Sequence, residues 1–211
     1  MQPRDNRATV RRLADYRPPA FLVDRIALEF DLDPDATRVT STLSFRRNPD
    51  ADPRDRGAPL ALDGEGLADL AVELDGVPLP ASRLVQSPGR LAVSDVPGAG
   101  TLAVHTRIAP ARNSALEGLY VSSGVFCTQC EPEGFRRITW FPDRPDVLAT
   151  YTVTIRGDRA RYPVLLSNGN LVDAGELAGG QHYAVWHDPF PKPSYLFALV
   201  AGDLAALEDE F

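Results

Sequence analysis

Lysine is all but missing from these 211 residues: Lys192 is the only one, and arginine supplies the rest of the 22 basic side chains. Together with abundant Ala, Asp and Pro this reads as biased base composition, and no mechanism follows from it. Cysteine is nearly as scarce. Cys127 and Cys130 are too few to staple a secreted disulfide scaffold, which agrees with a reducing compartment. Positive charge is in deficit, with a net charge of -7 and a pI of about 5.0, and this opposes binding to a phosphate backbone or an anionic membrane. Nucleic acid is therefore not expected as a partner. No apolar run approaches membrane-spanning length, and the polar, Arg-rich opening from Met1 to Asp15 has no apolar stretch followed by a small-residue cleavage site. A cytoplasmic location without a membrane partner is the resulting expectation.

Several catalytic signatures are absent too. No H-E-x-x-H pair occurs, so zinc-hydroxide chemistry by that route is not available to these residues, and neither a G-x-x-x-x-G-K phosphate loop nor a G-x-S-x-G nucleophile turn is present. Asp and Ser are too common for a triad to be picked out. No catalytic residue, metal ligand or cofactor is expected within this chain.

The length suits one domain with a sizeable core, since all-β units often reach it undivided, and 44% hydrophobic with 24% charged residues is ordinary for a folded soluble domain. Residues 1–15 read as a mobile lead and 16–211 as the domain, with order beginning at Tyr16-Arg17-Pro18-Pro19. Ile26, Leu28, Phe30 and Leu32 alternate with polar residues, as do Val39, Ser41, Leu43 and Phe45 after the turn Asp33 to Thr37, which predicts a hairpin. Arg46 to Pro59 reads as a polar surface loop. Alternation resumes at Leu70, Val72 and Leu74 before Asp75-Gly76, a dipeptide suited to a tight hairpin turn. Further strands are expected over Arg90 to Ser94, Thr101 to Ile108, Val147 to Ile155, Val164 to Ser167, Gln181 to His187 and Tyr195 to Ala201, with a short turn around Ala111 to Leu116. Short strands punctuated by Gly, Pro and Asp predict an all-β fold of packed antiparallel or mixed sheets.

Three segments bear on function. Cys127-Thr128-Gln129-Cys130 has the spacing of a metal knuckle or redox pair, but a structural zinc needs four ligands and no second pair exists, so small buried thiols are the simpler reading. His182 and His187 stand five apart on an expected strand and so on opposite faces. Asp188-Pro189-Phe190-Pro191-Lys192-Pro193 reads as a stiff connection between two strands. The segment Gln129 to Ile138 carries Glu131, Glu133, Arg136 and Arg137 beside Phe135; taken alone it is a solvated charged loop.

That segment belongs to an ordered series of blocks. Asn113 to Tyr120, Cys127 to Glu131, Gly134-Phe135-Arg136, Asp143 to Ala149, Tyr162-Pro163, Leu165 to Asn170, Asp188 to Pro193 and Tyr195 to Asp203 together resemble the amino-terminal domain of the bacterial aminopeptidase N family of zinc peptidases. The resemblance extends from about Tyr16 to Phe211. It implies a saddle-like, β-sandwich-like assembly of mixed and antiparallel sheets, laid against a thermolysin-like catalytic domain of the same polypeptide. It implies that the G-A-M-E-N segment, the H-E-x-x-H zinc ligands holding one zinc ion and an assisting Tyr lie beyond Phe211, so that the chain alone is inactive. Its direct partners would be that C-terminal catalytic domain and peptide substrates. To this chain it assigns Glu131, which would hold the substrate's terminal ammonium, and Gln129, which would orient the carboxylate or meet the first side chain. Glu133 receives no role. Two rival readings use the same residues differently: a stand-alone, non-enzymatic β-sandwich that binds a protein or sugar, for which a natural stop at Phe211 is expected, and a thiol redox module on Cys127 and Cys130, which requires an acidic thiol.

Overall fold

The computed structural model describes residues 12–209. Residues 1–11, most of the expected mobile lead, and residues 210–211 lie outside the described residues; Leu13–Asp15 forms an exposed 3-10 turn. In chain order the strands are β1 (Phe21–Asp31), β2 (Thr37–Arg47), β3 (Leu60–Asp63), β4 (Ala68–Leu74), β5 (Val77–Pro78), β6 (Leu84–Ser87), β7 (Arg90–Val93), β8 (Ala99–Ile108), β9 (Gly118–Ser122), β10 (Val125–Gln129), β11 (Ala149–Asp158), β12 (Val164–Ser167), β13 (Asn170–Glu176), β14 (Gln181–Lys192) and β15 (Leu199–Gly202). Among the described residues the only helical pieces are 3-10 turns, so the fold is all-β.

Three sheets share one core. The largest has the order β13-β14-β11-β1-β2-β8-β4-β5 and is mixed, because β1 and β11 run parallel at its centre. A four-stranded sheet, β12-β15-β10-β9, and a three-stranded sheet, β3-β7-β6, are antiparallel. The inward face of the large sheet presents Ile26, Leu28, Phe30, Val39, Leu43, Leu102, Val104, Tyr151, Val153 and Ile155. Against it lie Phe126, Leu165, Leu199 and Ala201 of the four-stranded sheet and Leu60, Leu62, Leu91 and Val93 of the three-stranded one.

Local chemistry accounts for the turns. Asp33 Oδ1 accepts the Asp35 and Ala36 N–H groups at 2.8 and 2.9 Å, and the Thr37 hydroxyl donates to the Asp33 carbonyl at 2.6 Å, which closes the β1–β2 hairpin. Asp75 and Gly76 both take positive φ, 50° and 78°, as the tight turn between β4 and β5 requires. In β1, Val23 pairs with Phe45 and Arg25 with Ser44, so Asp24 is an extra residue. This bulge shifts the parity: Phe21 and Val23 before it and Ile26, Leu28 and Phe30 after it all face inward, and the alternation in the sequence is regular only from Ile26 onward.

Two expectations are corrected. The Asp188–Pro193 run is not a connection, because β14 continues to Lys192. Asp188 pairs with Tyr151 and Lys192 with Ala149, so Pro189-Phe190-Pro191 lies in a ladder irregularity where the missing proline N–H breaks no regular pair. Conversely, the strand expected from Tyr195 begins only at Leu199. The Leu196 and Phe197 N–H groups turn back onto the Pro193 and Ser194 carbonyls, which makes Ser194–Leu196 a 3-10 turn.

Candidate functional site

The segment between β10 and β11 is the longest irregular stretch that crosses the core, and Gln129 and Glu131 stand at its start. β9 and β10 form a hairpin through Ser123 and Gly124, both at positive φ, and β10 pairs on its other side with β15. Gln129 is therefore the last residue of a strand held on both sides upstream. Its side chain is exposed, and its Nε2 donates to the Glu131 carbonyl oxygen at 3.2 Å. The amide thus fixes the backbone of Glu131 and not its carboxylate. Glu131 is also exposed, and its carboxylate makes no hydrogen bond or ion pair with any described residue. The Glu131–Pro132 peptide is cis.

Beyond Glu131 the chain folds back and is fastened at every following residue from Glu133 to Arg137. The Gly134 N–H donates to the Cys130 carbonyl at 2.8 Å. A Cβ at Gly134 would come within 2.3 Å of the Gln129 carbonyl oxygen and 2.9 Å of the Gly118 nitrogen, so only glycine allows the loop to lie this close to the hairpin. Phe135 is fully buried, edge-on to Phe141 and Phe197 at 5.2 and 5.3 Å and to Tyr151 at 6.3 Å. Arg136 donates from Nε to Asp143 Oδ2 at 2.9 Å and lies 3.3 Å from Glu133. Arg137 pairs with Glu65 at 2.7 Å and Glu117 at 2.9 Å. The expected solvated loop is thus rigidly mounted, with Glu131 as its free carboxylate.

Other candidates do not join this site. His105 contacts Thr40 and His187 contacts Thr152 on the outer face of the large sheet, while His182 meets the Tyr162 carbonyl, so His182 and His187 do fall on opposite faces of β14. Cys130 is buried, and desolvation, with the nearby Asp143 charge adding to it, pushes its thiol up to about 12. A redox module needs the opposite shift, so that reading fails at Cys130. Cys127 is half-buried and on the same face of β10 as Gln129. A disulfide-forming thiol reagent at pH 8 should therefore label one thiol per native chain and two in urea, and Cys127→Ser should abolish the native labelling. Two rapidly labelled native thiols would contradict the burial of Cys130.

No group of three or more His, Cys, Asp or Glu side chains among the described residues could hold a metal ion. The three imidazoles are engaged separately, with Thr40, Thr152 and the Tyr162 carbonyl, so the described residues do not bring together the donor set of a catalytic zinc. What composition and spacing could not reveal is Asp143, whose side chain is 1% exposed and which the sequence offers only as one Asp among many.

Residues 103–196 match the family model described as the peptidase M1 N-terminal domain. Aminopeptidase N of Caulobacter vibrioides is 52% identical over 94% of this chain, and aminopeptidase N of Escherichia coli is 49% identical over 93%. The chain spans 22% of the length of each. The crystal structure of Legionella pneumophila aminopeptidase A in complex with aspartic acid superimposes with a TM-score of 0.85 at 36% identity, covering 92% of this chain and 23% of that one.

Proposed function

The chain belongs to the peptidase M1 N-terminal domain family, and from that premise we propose that it is the substrate-binding domain of a zinc-dependent aminopeptidase. In this reading Glu131 receives the α-ammonium of a peptide substrate and Gln129 steadies the backbone that carries it. The observation that supports it is the exposed carboxylate of Glu131, without a partner among the described residues, on a loop that is fastened from Glu133 to Arg137. An exopeptidase must tell a terminal ammonium from an internal peptide nitrogen. A carboxylate does so by a charge-assisted hydrogen bond, which a neutral amide N–H cannot match. Because no described residue competes for the Glu131 oxygens, the ligand breaks no ion pair with any of them.

The partner in this proposal is a catalytic domain of the same polypeptide, and the four-stranded sheet offers it a surface. Leu166, Val200, Cys127 and Tyr120 are aligned across β12, β15, β10 and β9 and share the face opposite the core. All four are half-buried or exposed, and Gln129 stands two residues from Cys127 on that face. An apolar row leading to the ammonium-binding carboxylate is what an intramolecular interface beside an active site needs. In this reading the zinc ion belongs to the catalytic domain.

The test separates chain from parent. The purified chain should hydrolyse no aminoacyl amide, with or without added zinc, while the polypeptide extended through its catalytic domain should do so and lose activity to a chelator. Zinc-dependent turnover by the chain itself, free of host peptidases, would overturn the assignment.

A further inference from the structure

We infer that Asp143 is a positioning residue for the substrate-ammonium site: its buried carboxylate sets where Glu131 is presented. The inference rests on the role proposed for Glu131. Among the described residues Asp143 and Lys192 are the buried charged ones, and a carboxylate is removed from water only where donors converge on it.

Three separate pieces of chain meet at Asp143. From the loop, Arg136 brings its backbone N–H to Oδ2 at 3.2 Å and its Nε to the same oxygen at 2.9 Å, and a terminal guanidinium nitrogen reaches the Asp143 carbonyl at 3.1 Å. From the turn that leads into β15, the Ser194 hydroxyl donates to Oδ1 at 2.5 Å. The Asp143 N–H itself donates to Asp63 Oδ2 at 3.1 Å, which ties the group to the end of β3. β15 is the strand that pairs with β10, and β10 ends at Gln129. One carboxylate therefore fixes both ends of the arc on which Glu131 sits: the strand that leads into it, through Ser194 and β15, and the return of the loop, through Arg136. The bidentate grip of side chain and backbone on Arg136 allows that residue little freedom, and Phe135 and Gly134 transmit the constraint to Cys130.

A merely structural Asp143 would lower stability when replaced and leave the chemistry of Glu131 alone. A positioning Asp143 acts through Glu131, so a double-mutant cycle in the full-length enzyme distinguishes the two. Displacement of a binding group by about 1 Å can cost roughly 100-fold, so Asp143→Ala should lower kcat/KM for an aminoacyl amide by roughly ten- to a hundred-fold, mainly through KM. In a Glu131→Ala background the same change should cost less than about two-fold, because there is no carboxylate left to misplace. Asp143→Asn can accept from Arg136 through its oxygen and donate to Ser194 through its amide, and should restore most of the loss. If Asp143→Ala does not fold, Ser194→Ala, which removes one of the donors to the carboxylate, takes its place in the cycle. Equal losses from the Asp143 change in both backgrounds would overturn the inference while leaving Glu131 in its role. If Glu131→Ala is itself silent, the reading of the substrate site falls and this inference with it.

Discussion

Replacing Glu131 by alanine in the polypeptide extended through the proposed catalytic domain should lower kcat/KM for aminoacyl substrates by roughly ten- to a hundred-fold. The figure follows from the contact proposed. A hydrogen bond to a charged group contributes about 1.5 to 3 kcal/mol, and the loss grows if the substrate's ammonium is left desolvated without a partner. Glu131→Gln keeps an acceptor but loses the charge, so it should be less damaging than alanine. Glu133→Ala should stay near the parental value: its carboxylate is half-exposed and meets only Arg136, and ion pairs of that kind contribute about 0 to 1 kcal/mol. Zinc content should be the same in all three variants, because none of these residues is proposed as a ligand. Steady-state kinetics with metal analysis decides the point. Parental kinetics in Glu131→Ala, with a large loss in Glu133→Ala, would give the role to Glu133 in place of Glu131.

The largest effect on stability is expected from Phe135→Ala. Phe135 is 0% exposed and touches three aromatic rings that come from the loop, the centre of the large sheet and the approach to β15. Removing a buried aromatic ring typically costs about 3 to 5 kcal/mol, of a total that for most domains is about 5 to 15 kcal/mol. The urea midpoint should fall accordingly, by more than 1 M if the denaturant slope is about 1 to 3 kcal/mol/M. Leu148→Ala makes the control, since Leu148 is half-exposed and its loss should be small. A Phe135→Ala midpoint within error of the Leu148→Ala one would mean that the core closes over the gap, and that Phe135 does not brace the loop as described.

The hairpins around Asp33 and Asp75 were legible because their turn chemistry is local and their strands are half-buried, which writes a period of two into the sequence. Other elements had no such signature. β13 has almost every residue exposed, so nothing alternates; β3 spans only four residues; and the β9–β10 hairpin turns through Ser123-Gly124 and not through an Asn-Gly or Asp-Gly pair. The Asp188–Pro193 run misled because proline argues against a strand unless an irregular register accommodates it, and register is a property of the pairing with β11. The site divides in the same way. The proposed roles of Glu131 and Gln129 come from the resemblance carried by their neighbours, whereas the Asp143 clamp depends on Ser194 and Asp63, which the chain brings together only on folding.

The parallel pairing of β1 with β11 also governs how the chain is assembled during synthesis. β2 lies next to β1 in sequence and can close on it as soon as both have left the ribosome, but Arg25 meets Thr150 and Asp31 meets Arg156. The second edge of β1 therefore stays open while nearly three quarters of the chain is made, and contacts so distant in sequence form late and slowly. During that interval the nascent chain exposes an unpaired strand edge backed by Ile26, Leu28 and Phe30, a surface suited to pairing with the wrong strand. The loop that bears Glu131 is translated just before β11. Its mounting on Tyr151 and the closing of that edge thus depend on the same strand, so the loop proposed to bind the ammonium is fully mounted only once the central sheet is.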